Sequence, residues 1–127
     1  MALGIISGYA IPIEGLPADH TYVLSDAGHV WPCWGRSSGG REICDGLAEL
    51  NDANCLSQPK SQAGIRYGIT GVCHQTANRI LYPSGATVEA AEGYRGSVFA
   101  WGTYGRRGMR FYSPARFPWP ELVKCLG

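Results

Sequence analysis

The segment YGITGVCHQTANRIL, residues 67–81, places a cysteine where a nucleophile would be useful. Gly68 and Gly71 lead into Cys73, and the residues from about Val72 to Leu81 have the spacing of an amphipathic helix that Pro83-Ser84-Gly85 stops. With Thr70 as N-cap, Cys73 falls in the first helical turn. Unpaired backbone N–H groups and the positive end of the helix dipole favour a thiolate there and can receive an oxyanion. Gly71 also lets a substrate approach the backbone closely. The competing reading is packing: Cys73 shares a helical face with Ala77 and Ile80, and a small buried thiol needs no further role.

A cysteine nucleophile needs a base, and the chain has three histidines. One residue along a helix is a rotation of roughly 100°, so His74 turns away from its neighbour and is expected to flank the cleft beside Gln75. His20 opens a β-rich run after GLPAD, where the end of a strand can present its ring to a helix start. His29 follows the SDAG turn and reads as a solvated hairpin residue, or as the second choice of base. The group that orients the base is open between a backbone carbonyl, Asp26, His29 and Gln75.

These side chains must be positioned by a small number of elements. GYAIPIEG (8–15) reads as a short extended piece broken by proline, and HTYVLSD (20–26) as a strand closed by a turn. HVWPCWG (29–35) is its hairpin partner, held to an edge by Pro32, and 36–42 is a loop. Ile43, Leu47 and Leu50 predict a short helix over 42–50, followed by a surface loop over 51–64. SVFAWGTYG (97–105) and MRFYS (109–113) read as strands joined through GRRG, and 86–92 fits strand or helix equally. The expectation is one α+β domain over 1–127, a small antiparallel sheet packed on one main helix.

Composition narrows the function less than the motifs do. Eleven basic and ten acidic residues leave the chain near neutrality, which argues against a dedicated nucleic-acid binder. Arg95, Arg106, Arg107, Arg110 and Arg116 do lie among aromatics such as Tyr94, Trp101 and Phe111, a mixture suited to an anionic or glycan-bearing substrate or to a packed hairpin. No apolar run approaches the ~18 residues of a membrane span. The first residues lack a basic n-region and meet Pro12 early, unlike a signal peptide. Five cysteines nevertheless suggest an oxidising compartment, secreted or periplasmic. If Cys73 is free, then Cys33, Cys44, Cys55 and Cys125 allow three pairings. No C-x₂-C pair or finger-spaced histidines point to a metal, and no cofactor is implied.

A helix-start cysteine facing a strand histidine resembles the layout of papain-like thiol hydrolases. YGITGVC resembles the approach to the nucleophile in NlpC/P60 peptidases, and DHTYVLSDAGHVW is similar to their histidine strand and its hairpin return. Here the histidine comes first, as in circularly permuted relatives. The resemblance covers about half the chain; CHQ stands where Cys-Ser-Gly is usual, and Val72 where Asp is. It implies a papain-like fold with Cys73 as nucleophile, His20 as base and Tyr67 lining the oxyanion region with Gly71. It also implies peptide or peptidoglycan-like substrates, and an inhibitor or immunity protein as a partner. Glutamine deamidation and acyl transfer share the same thioester step. A secreted binding module with structural cysteines is the non-enzymatic alternative.

Overall fold

A computed structural model of the protein describes residues 3–59, 62–107 and 117–126. Four antiparallel strands form its sheet: β1 (Leu3–Pro12), β2 (Asp19–Ser25), β3 (Val30–Trp31) and β4 (Arg41–Glu49), in the order β3-β2-β1-β4. Helices α1 (Leu50–Ser57), α2 (Cys73–Leu81), α3 (Tyr94–Trp101) and α4 (Pro120–Val123) follow. The α+β expectation holds at this level.

β1 is central because its inward positions are small or aliphatic. Ile6 and Ala10 are fully buried, and at Gly8 a Cβ would stand 2.7 Å from Cys44 Sγ and 2.8 Å from Val88. β2 pairs with β1 from Ile6–Ser25 to Pro12–Asp19, and its alternation buries Asp19, Thr21 and Val23 on the α2 side. β3 stops at Trp31, directly before Pro32, so the expected strand over 29–35 shrinks to two residues.

α2 lies against this inner face. Ala77, Ile80 and Leu81 are 0–2% exposed, and each large aliphatic side chain so buried contributes about 1.5–3 kcal/mol. All nine residues of α2 are buried, its polar side included. That polar side is covered by α3 and the chain after it. Asn78 donates to Tyr94 Oη (3.0 Å) and to the Thr103 carbonyl (2.7 Å) and accepts from Val88 N–H (2.9 Å). Arg79, 2% exposed, donates to the carbonyls of Tyr104 (2.6 Å), Ala63 (2.7 Å) and Arg106 (3.2 Å). Its guanidinium lies 4.4 Å from the Trp119 ring centroid and 5.5 Å from that of Phe117. Burial lowers its pKa to about 9, so it stays charged at neutral pH.

Several local expectations give way to tertiary pairing. Residues 41–49 form β4 on the edge of β1, not a helix. The Ile43–Leu47 interval of four is even, so it suits a strand as well as a helix; a bulge between Gly8 and Tyr9 then leaves Ile43 without a partner. The expected loop over 51–64 contains α1. SVFAWGTYG is not a strand: Tyr94, Ser97 and Trp101 recur at helical spacing in α3 and bond to Asn78, His74 and the Ile69 carbonyl. Residues 86–92 are neither strand nor helix. The expected strand over 109–113, with Arg110 and Arg116, lies outside the described residues.

Cys55 and Cys125 form a disulfide that ties α1 to the C-terminal turn, with Cα atoms 5.8 Å apart. Cys33, Cys44 and Cys73 are free, so the expected second bridge among Cys33, Cys44, Cys55 and Cys125 is not formed. Among the described residues no helix is long and apolar enough to cross a membrane, and no group of three or more potential ligands is placed to hold a metal ion.

Candidate active site

Cys73 is the first residue of α2, and Val72 is the N-cap with extended backbone. Thr70 does not cap the helix: its hydroxyl accepts from Arg66 N–H at 2.8 Å. Gln75 reaches back instead, its Oε1 accepting from Val72 N–H at 3.0 Å, and its amide donates to Ser97 Oγ and the Gly102 carbonyl, both at 3.1 Å. Gln75 therefore fixes the turn that presents the thiol. Gly71 packs against it, since a Cβ there would stand 2.9 Å from Gln75 Cβ.

The thiol meets the start of β2. Cys73 Sγ lies 4.0 Å from the Asp19 carbonyl oxygen, with Thr21 also beside it. It thus contacts the two α2-facing residues that flank His20 in sequence, while strand alternation turns the His20 side chain to the other face. The helix start was expected to favour a thiolate, but Cys73 is only 4% exposed, and burial raises its pKa. Thr21 and the backbone N–H groups of His74 and Cys73 pull the other way without overcoming desolvation. The resting thiol is protonated.

His74 shares the Asp19 carbonyl with Cys73: its Nε2 lies 2.8 Å from that oxygen, and its Nδ1 lies 2.9 Å from Ser97 Oγ. A carbonyl only accepts, so Nε2 carries the proton and cannot take another. Burial lowers the pKa of His74, which keeps the ring neutral, with Nδ1 against the Ser97 hydroxyl. The Ser97 hydroxyl also lies 2.8 Å from the Tyr94 carbonyl. His74 is thus a structural clasp between β2, α2 and α3, rather than a residue flanking an open cleft.

His20 has the free nitrogen. Its Nε2 is buried and has no hydrogen-bond partner. The ring rests on the loop after β3, where a Cβ on Gly35 would stand 2.5 Å from His20 Cε1 and 2.8 Å from Nε2. Burial lowers its pKa, while the backbone of Arg36 and Pro32 opposes that shift. These backbone groups are what orients the ring. Asp26 and His29, the expected side-chain orienters, stand in the β2–β3 turn at the other end of the strand, six or more residues and about 20 Å from His20.

Tyr67 is 53% exposed and bridges to Gly71 two residues before the thiol. Burial, then the proximity of Cys73, raises its pKa. The segment is held by Gly68 N–H on the Gly71 carbonyl (2.7 Å), Trp101 Nε1 on the Ile69 carbonyl (3.1 Å) and Arg106 N–H on the Thr70 carbonyl (2.8 Å). Three contributors were not singled out from the sequence. Asp19 acts through its carbonyl, which any residue possesses. Its carboxylate is bound by Arg41 (2.8 Å) and Glu92 N–H (2.8 Å). Burial would raise its pKa, but these bonds outweigh that and lower it. Ser97 and Gly35 act from distant segments, with no sequence motif to mark them.

No family model, curated protein or solved structure matches the chain.

Proposed function

We propose that the protein is a cysteine-dependent amide hydrolase of papain-like, permuted organisation, with Cys73 as nucleophile and His20 as general base. The observation that supports this is the thiol at the start of α2, packed against Asp19 and Thr21 of the strand that carries His20. His20 keeps an unpartnered Nε2 with its ring on the loop after β3, and its use as base requires the start of β2 to turn that ring toward the sulfur. A raised thiol pKa and a lowered imidazole pKa make the resting pair neutral, so the proton moves only as the sulfur attacks. The sulfur bonds to the amide carbon, His20 takes the thiol proton, and the N–H groups at the α2 start meet the oxyanion. His20 then protonates the leaving amine as the C–N bond breaks, and water, deprotonated by His20, releases the acid from the thioester. Tyr67 and Gly71 border the oxyanion region. Peptide amides, including peptidoglycan stem peptides, are the substrate class taken from the resemblance, and an inhibitor or immunity protein is the corresponding partner. The Cys55–Cys125 disulfide suits a secreted or periplasmic setting.

The test is peptide-amide hydrolysis by wild type, Cys73→Ala and His20→Ala. Both variants are expected to lose at least about 10³-fold in kcat/KM, as when a nucleophile or its base is removed. Activity that survives Cys73→Ala would sink the assignment. The rival reading is a binding module with structural cysteines. It is favoured by the membership of Cys73, together with Cys33, in the buried apolar cluster. It predicts stable folding, no turnover, and a melting temperature lowered by Cys73→Ser.

A further inference from the structure

Beside the thiol, the surface opens into a cleft of about 410 Å³ lined by Trp34, Ile65, Arg66, Tyr67 and Ile69. We propose that this cleft is the side-chain subsite of the thiol site and takes a large apolar residue, aromatic by preference, bordering the scissile amide. The inference rests on the hydrolase reading and names its substrate class.

Three observations converge on it. The first is composition: Trp34, Tyr67 and Ile69 are 43%, 53% and 45% exposed, and the two rings meet edge to face with centroids 6.2 Å apart at 63°. Large apolar groups gathered at one concave place mark a binding surface. The second is position. Trp34 directly precedes Gly35, on which the His20 ring rests, and Tyr67 bridges to Gly71, two residues before Cys73. One wall continues the loop of the base, and the other continues the approach to the nucleophile.

The third is backbone conformation. Cys33 and Trp34 are consecutive non-glycine residues with left-handed φ of 54° and 74°. Such a pair is costly and persists where surrounding contacts enforce it. Here Cys33 is anchored in the core with its Sγ 3.4 Å from the Trp31 carbonyl, and Trp34 N–H donates to Gln62 Oε1 at 3.2 Å. The strain holds an indole outward over the cleft instead of letting it join the core.

Binding can be read without turnover in the full chain carrying Cys73→Ala. N-acetyl-phenylalaninamide, N-acetyl-alaninamide and N-acetyl-lysinamide are titrated while the Trp34 indole N–H resonance is followed. The phenylalanine amide is expected to bind about tenfold or more tightly than the other two and to shift Trp34. Trp34→Gly suits the left-handed backbone, so it should keep its melting temperature while calorimetric titration, the readout for this variant, shows the phenylalanine amide reduced to the affinity of the alanine amide. Tyr67→Ala should do the same from the opposite wall. Equal binding of the three amides, or selective binding that neither variant alters, overturns the subsite. Wild-type turnover is measured separately on the anilides of the same residues. Selective binding without turnover supports the cleft as a binding site and overturns hydrolysis; turnover indifferent to the side chain overturns the subsite and leaves hydrolysis standing.

Discussion

At Cys73 the start of a helix and the interior of a protein pull one proton in opposite directions. Backbone N–H groups favour the thiolate, whereas 4% exposure favours the thiol, and desolvation prevails. Alkylation by iodoacetamide should therefore be slow at neutral pH and rise with an apparent pKa above that of a free cysteine, rather than below it as the helix start alone suggests. A mass-spectrometric rate profile of Cys73 against pH decides this, and a midpoint near 6 would contradict the geometry. Gly35 offers a second test. A methyl group there would overlap the His20 ring, so on the proposed hydrolase reading Gly35→Ala should reduce kcat about tenfold or more by displacing His20, with the far-ultraviolet spectrum unchanged. Loss of fold instead of rate would show that the loop is structural. The placement of Cys73 at a helix start and of His20 on a strand was legible in the sequence because the local pattern marks both. The Asp19 carbonyl and Ser97 were not, since a backbone oxygen has no signature and Ser97 meets His74 only through the fold.

Among the elements, α2 and β2 were readable because local pattern and tertiary environment agree. The period of the helix marks it even though both of its sides end up buried, and the β-branched run of β2 sits in a sheet. β4 and α3 were misread because pairing decided them. An even spacing fits two periods, and the aromatic run of α3 has strand composition yet docks on α2 through Tyr94 and Ser97. The polar side of α2 depends on Arg79, whose three carbonyl partners lie at Ala63, Tyr104 and Arg106. Arg79→Met keeps much of the stem but leaves those oxygens buried and unpaired. The loss should be about 3 kcal/mol or more, since each costs roughly 1–3 kcal/mol, read as a shift in the urea midpoint. A change under about 1 kcal/mol would mean that water replaces the guanidinium.

For the whole molecule, the buried titrating groups define a pH window. His20 and His74 have pKa values below 6.5 in the folded state, so the unfolded chain binds more protons as pH falls and their contribution is lost on acidification. Cys33, Cys44 and Cys73 have pKa values above 9.0, so their contribution is lost as pH rises through their folded values. The melting temperature should be highest between about pH 6.5 and 9 and fall on both sides. A maximum near pH 5 would mean that the histidines are solvated. The Cys55–Cys125 bridge closes a separation of 70 residues, worth about 4 kcal/mol on chain-entropy grounds, so the Cys55→Ser, Cys125→Ser pair should unfold at markedly lower urea.

The Arg79 staple also sets an order of events during synthesis. The strands need nothing beyond Glu49, and they can pair while the rest of the chain is still being made. α2 is translated next, but the oxygens that receive its guanidinium at Tyr104 and Arg106 and the rings at Phe117 and Trp119 follow it by some 25–40 residues. A chain made only as far as residue 103 has the sheet, α2 and α3, but Arg79 still lacks the Tyr104 and Arg106 oxygens and the Phe117 and Trp119 rings. The cover over Arg79 can close only after residues 104–119 have been made.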